Sequence, residues 1–206
     1  MFKLNHIAIR TLPIGAVFFL LAGCSSGPRI DPSNNADGGA IVGQHRVADL
    51  TPAPERKVVV LEFDRTVEQI FQPLLAQVEL YSDDVVRVDF DHTNSSNPGT
   101  FGVGSVRICT FKDGTKLVEP IVAYEENRFY AYTTDAKNST LSLPVKDVLL
   151  FYSFQNLGTA KTRVTVRAHY TATNWWMSPI VGFAFNRNIN STFASAAKVF
   201  GGRQLQ

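Results

Sequence analysis

Residues 57–63 (KVVVLEF) are rich in β-branched and apolar side chains, which predicts a strand. The pattern then changes period. Val67, Ile70, Phe71, Leu74 and Leu75 follow the spacing of one helix face, with Asp64 or Thr66 placed to cap it. Pro73 has no N–H to donate, so this helix is expected to end or kink near Gln72. Residues 76–81 predict a second short helix, 85–90 a strand, and 93–99 (TNSSNPG) a loop. From residue 101 onward the period is two. Strands are predicted over 101–111, 116–124, 128–134, 145–155 and 161–173. Lys112-Asp113-Gly114 and Asn156-Leu157-Gly158-Thr159 supply turn chemistry between them. The last strand alternates most clearly. Thr162, Val164, Val166, Ala168 and Tyr170 share one face; Arg163, Thr165, Arg167, His169 and Thr171 share the other. That is an antiparallel sheet with one covered and one wet face. Residues 176–200 then predict a long helix. Val181, Phe185, Ile189 and Phe193 form its stripe, Ala196, Ala197 and Phe200 extend it, Pro179 fits its first turn and Gly201-Gly202 ends it.

The implied class is α+β: a curved antiparallel sheet of six to seven strands wrapped around a long C-terminal helix, with two short helices after the first strand. Turn chemistry also bears on register. If Lys112-Asp113-Gly114 is a three-residue turn with a glycine bulge, Phe111 opposes Thr115, and Arg107 then faces Glu119. A two-residue turn would put them on opposite faces. Pointing inward, the pair would orient a ligand's polar head. Pointing outward, it would be a surface ion pair worth under about 1 kcal/mol.

The N-terminus has a different character. Lys3, His6 and Arg10 precede an apolar run over 14–22, too short for a comfortable membrane span. The run ends Leu21-Ala22-Gly23-Cys24-Ser25-Ser26. This resembles the lipobox of bacterial lipoproteins, which implies cleavage before Cys24 and acylation of that cysteine. Two or three acyl chains anchor lastingly where one is marginal. Ser25, rather than Asp, favours the outer membrane's inner leaflet, facing the periplasm, in a diderm host. Residues 24–54 are rich in Ser, Gly, Pro, Asn and Asp and read as the lipidated cysteine and a flexible tether. The domain proper is expected over 55–203.

The order of elements resembles the helix-grip fold of the START/SRPBCC superfamily, which includes Bet v 1-like proteins. Gly102-Val103-Gly104-Ser105-Val106-Arg107 is similar to the Gly-x-Gly-x-x-Arg opening of the third strand in its polyketide cyclase/lipid transport-like branch. Asp113-Gly114 followed by Glu119 matches the branch's turn and acidic position, and residues 128–134 resemble the next strand. Leu143-Pro144 stands where members have a loop over the cavity mouth, and Gly158-Thr159 fits the last hairpin. Residues 142–145 lack the glycine of the abscisic-acid receptors' gate, so hormone sensing is not inferred. The resemblance spans roughly residues 56–202 and implies a cavity between sheet and helix for one lipid-like or amphipathic molecule. Candidate ligand contacts are Arg107, Glu119, Tyr130, Tyr132, Tyr152, Tyr170, Leu143, Pro144 and Trp176.

Composition narrows the alternatives. Lys and Arg total 20 against 18 acids. Lys3 and Arg10 lie in the leader, so the remainder is neutral and a polyanion-binding role is disfavoured. Two cysteines exclude a disulfide scaffold, and the histidines show no metal-ligand spacing. No phosphate loop, dinucleotide fingerprint or nucleophile elbow occurs. Cys109 is expected to be a buried, inert thiol, and His169 to lie on a solvated face. No cofactor, metal or nucleic acid is expected, and the chain is expected to be a monomer. Three readings remain open: a lipid-anchored binder or shuttle of a hydrophobic molecule, a cyclase- or hydrolase-like enzyme using Arg107, Glu119 and a tyrosine, or a structural envelope lipoprotein with a filled cavity.

Overall fold

A computed structural model describes residues 41–42 and 45–205 of the chain. The predicted leader, Cys24 and the tether as far as residue 40 lie outside the described residues. A small hairpin of β1 (Ile41–Val42) and β2 (His45–Arg46) leads into one helical turn, α1 (Val47–Leu50). The main sheet follows, with β3 (Glu55–Phe63), β4 (Val85–Asp91), β5 (Val106–Phe111), β6 (Lys116–Glu125), β7 (Phe129–Thr133), β8 (Val145–Gly158) and β9 (Lys161–Ala172). A short β10 (Gly202–Gln204) adds an eighth strand, one more than the periodicity suggested. The order is β10-β3-β9-β8-β7-β6-β5-β4, and every pair is antiparallel. Register shifts in β3, β4, β6 and β8 are the irregularities by which strands bend.

Between β3 and β4 lie α2 (Val67–Ala76) and a 3₁₀ turn (Val78–Leu80). The helix does not stop at Gln72. It runs through Pro73, and the Gln77 N–H closes its last turn on the Pro73 carbonyl at 3.0 Å. The proline's missing donor is outweighed by burial, because Leu74 and Leu75 beyond it are fully inside the core. After β9, residues Trp175–Met177 make a 3₁₀ turn and α3 (Ser178–Val199) begins. Its buried stripe is the one the spacing predicts: Val181, Phe185, Ile189, Phe193, Ala196 and Ala197. Phe193 meets Tyr152 of β8, and Phe185 meets Tyr170 of β9, both edge to face. The sheet thus curls around one helix. Among the described residues no helix is long and apolar enough to cross a membrane.

Residues 101–105 are a loop, although their pattern predicted a strand. Gly104 sits at φ +91°, and a Cβ there would lie 2.1 Å from the Asn94 carbonyl oxygen. The segment folds against the 93–99 loop before β5 can start. Gly104→Ala is therefore expected to destabilise the protein by about 1–3 kcal/mol, read as a lower urea midpoint at unchanged slope.

The outer face of β3 and β9 carries ion pairs, with Arg163 on Glu62 and Arg167 on Glu55, each at 2.7 Å. Arg203 of β10 joins Glu62 at 2.8 Å. Hydrogen bonds from Arg163 and then Arg203 hold the Glu62 carboxyl below its ordinary value of 4.5. A depressed acid stabilises above its unfolded value and loses that contribution as it protonates. Attachment of β10 is thus expected to be constant from neutral pH down to about 4.5 and to weaken below it, seen as faster amide exchange in β10. His169 departs from the expectation of a solvated face. It is buried, with Nδ1 3.2 Å from the Ala53 carbonyl oxygen. The segment after α1 lies over that end of β9, which the strand's own alternation does not encode.

Candidate ligand cavity

The β5–β6 turn decides what faces the interior. The Gly114 N–H donates to the Phe111 carbonyl, the Phe111 N–H to the Thr115 carbonyl, and Gly114 takes φ +81°. This is the three-residue register, and Arg107 pairs directly with Glu119. The pair points inward. Arg107 is 3% exposed and Glu119 4%. Arg107 Nε and Nη2 donate to Glu119 Oε2 at 2.9 and 2.8 Å, and Nη1 donates to the Leu75 carbonyl at 3.1 Å. The guanidinium also lies over the Tyr132 ring, 3.9 Å from its centroid. A cation on the last turn of α2 satisfies a carbonyl left over by the helix and complements its dipole. Tyr81 does the same for the Leu74 carbonyl, at 2.6 Å.

Burial opposes the Arg107 charge most strongly, but the Glu119 carboxylate together with Tyr132, Cys109 and Tyr81 outweighs it, and the guanidinium is held above its ordinary range. Cys109 shares the inward face and donates its thiol to Glu119 Oε2 at 3.5 Å. Burial and then the Glu119 charge push that thiol up to about 12. It is a neutral wall residue, as expected for a thiol with no activating base. Burial also raises Tyr132 to about 12 and Tyr152 well above its usual value. Their hydroxyls bond each other at 2.8 Å.

These groups are among the lining of a partly open cavity of about 370 Å³ between the sheet and α3. Its walls are mostly apolar, among them Val85, Leu117, Val148, Leu150, Ile189 and Phe193, with Asn188 and Thr192 of α3 adding polar atoms. The volume is at the small end of the ordinary ligand range of about 300–1,000 Å³. No group of three or more His, Cys, Asp or Glu residues among the described residues is arranged to hold a metal.

Five of the expected contacts line this space: Arg107, Glu119, Tyr132, Tyr152 and Leu143. Four do not, and each has a physical reason. Tyr130 faces inward but is packed between Phe71 and Tyr152. Tyr170 is also buried, and its hydroxyl donates to Asn186 Oδ1 at 2.9 Å, tying β9 to α3. Pro144 is exposed at the start of β8, where its carbonyl accepts the Thr173 N–H. Trp176 is carried outward by the 3₁₀ turn, and only its neighbour Met177 packs on the core. Sequence reasoning missed Tyr81 and the polar α3 positions Asn188 and Thr192. The last two adjoin the Ile189–Phe193 stripe, which was their only signal.

No family model matches the chain, and no curated protein matches it. Solved structures do. The protein XoxI from Bacillus cereus aligns with a TM-score of 0.53 at 15% identity, over 70% of this chain and 94% of that one. A Thermus thermophilus protein gives 0.53 at 11%, over 71% and 97%. A Nitrosospira multiformis protein gives 0.51 at 14%, over 71% and 96%. Likeness at such identities speaks for the fold alone. With the architecture above, it establishes this chain as a helix-grip α+β domain, a curved antiparallel sheet closed around a long C-terminal helix.

Proposed function

We propose that the protein is a lipid-anchored binder that holds one small, largely apolar, uncharged molecule between its sheet and α3. The observation that carries this reading is the cavity itself: about 370 Å³ of space with mostly apolar walls and a paired Arg107 and Glu119 in its lining. A core filled by its own side chains would leave no such space, which argues against the purely structural reading. The charge arrangement narrows the ligand. An anionic head would meet Glu119 and Asp84, which also lines the cavity, and a cationic head would meet Arg107. Glu119 Oε2 takes both arginine contacts and the thiol, while Oε1 takes none of these bonds. A hydroxyl-bearing ligand could donate there and leave the pair intact.

Arg107, Glu119 and Tyr132 do converge, as an acid–base enzyme would require. Yet the guanidinium is held above its usual range, and Tyr132, Tyr152 and the Cys109 thiol are raised far above neutrality. General acid–base work favours groups near the working pH. Binding is therefore the better-supported role. The anchoring part rests on the lipobox-like Leu21-Ala22-Gly23-Cys24 and the tether after it, which would keep the domain beside a bilayer, facing the periplasm. Titration with a neutral environment-sensitive fluorophore tests the binding role. Saturation at one probe per chain, with competition by an apolar alcohol, is expected. Absence of saturable uptake would overturn it.

A further inference from the structure

We propose that the N-terminal end of α3 is a docking surface for an anionic lipid bilayer. The proposal goes beyond the cavity reading and uses the anchoring reading only to bring the surface near a membrane. Four large apolar residues stand in solvent over residues 175–183: Trp175 is 85% exposed, Trp176 65%, Ile180 68% and Phe183 72%. Isolated exposed apolar residues are ordinary, but a contiguous patch marks an interaction site. These residues contribute nothing to the core, because the inward stripe of α3 is already supplied by Val181, Phe185 and Ile189.

Two features select a bilayer as the occupant. Tryptophan pairs an apolar ring with one N–H donor, a combination that settles at the headgroup boundary. Charge points the same way. No Asp or Glu occurs after Asp147, so α3 carries only the cations Arg187 and Lys198. Ile180, Phe183 and Arg187 follow three- and four-residue spacing, so they share a face. Arg187 is exposed and enters no ion pair among the described residues. Its long stem can run beside Phe183 while its guanidinium meets lipid phosphate.

The chain's two tryptophans both lie in this patch, so selectively excited tryptophan emission reports on it alone. The full chain is reconstituted into vesicles of phosphatidylethanolamine and phosphatidylglycerol. Emission is expected to move to shorter wavelength and to be quenched by lipids brominated near the headgroup end of their chains. Phe183→Asp and Ile180→Asp should each return the emission toward its value without vesicles, and Arg187→Glu should do so in part. Flotation with the vesicles reports the anchor separately, so the two readings fail independently. A chain that floats while its tryptophans stay solvent-exposed overturns the docking surface. So does a short-wavelength emission that needs no vesicles. If it is independent of protein concentration, another part of the same chain covers the patch; if it rises with concentration, a second copy does.

Discussion

Glu119→Ala is expected to destabilise the protein by about 3–5 kcal/mol, the cost of leaving a buried charge without its partner. Arg107 is 3% exposed, so water replaces the lost carboxylate poorly. Two of its donors would lose their acceptor, and the Cys109 thiol would lose its own. Arg107→Ala should be similarly severe, because it strands Glu119 and also removes the donor to the Leu75 carbonyl at the end of α2. The double variant Arg107→Met with Glu119→Leu separates charge from packing. It carries no unpaired ion and should cost less than either single change, about 1–3 kcal/mol for the helix carbonyl left without a donor. Urea unfolding of these four proteins measures the costs, and Arg107→Met and Glu119→Leu made singly complete the cycle. Single variants that each cost under about 1 kcal/mol, and add, would mean that the pair is solvated rather than buried.

Thr192→Trp is expected to weaken neutral-ligand binding by at least about tenfold, or about 1.4 kcal/mol. Thr192 is half-buried on α3 and lines the cavity. An indole at this position would occupy space that a ligand otherwise fills. The stability cost should stay within the usual overpacking range of about 1–3 kcal/mol, since the side chain can enter existing space. Thr192→Ser keeps the volume open and should bind as the wild type does. Equal affinities for all three proteins in the fluorophore titration would place binding elsewhere on the molecule.

Much of this arrangement follows from local chemistry. Glycine at position 114 selects the three-residue turn, and the turn fixes which residues of β5 and β6 are opposite each other. The turn alone does not say which face is inward. That information lay two residues away on each strand, because Cys109 and Ile121 are buried on the same faces as Arg107 and Glu119. The long helix was legible for the same reason that its outer face was misread. Val181, Phe185 and Ile189 define one stripe, and Trp176, which was expected among the ligand contacts, lies outside it. Hydrophobicity reports a preference for burial, and here the 3₁₀ turn before α3 overrides it.

Other features depend on distant parts of the chain. β10 has three residues and no apolar alternation; it exists because the edge of β3 is available after α3 ends. His169 is covered by residues that precede β3, over a hundred positions earlier. Tyr130 and Tyr132 alternate identically along β7, yet only Tyr132 borders the cavity, because Phe71 of α2 packs against Tyr130. Periodicity identifies an inward face, while the element opposite decides whether that face meets side chains or space.

Native mass spectrometry of the full chain, wild type beside Thr192→Trp, decides whether the cavity holds a ligand. Any lipid held nonspecifically by the N-terminal segment is common to both proteins. One small uncharged molecule per wild-type chain is expected, recoverable by solvent extraction and missing from Thr192→Trp. Bare-chain masses for both, with no uptake from a membrane lipid extract, would contradict it.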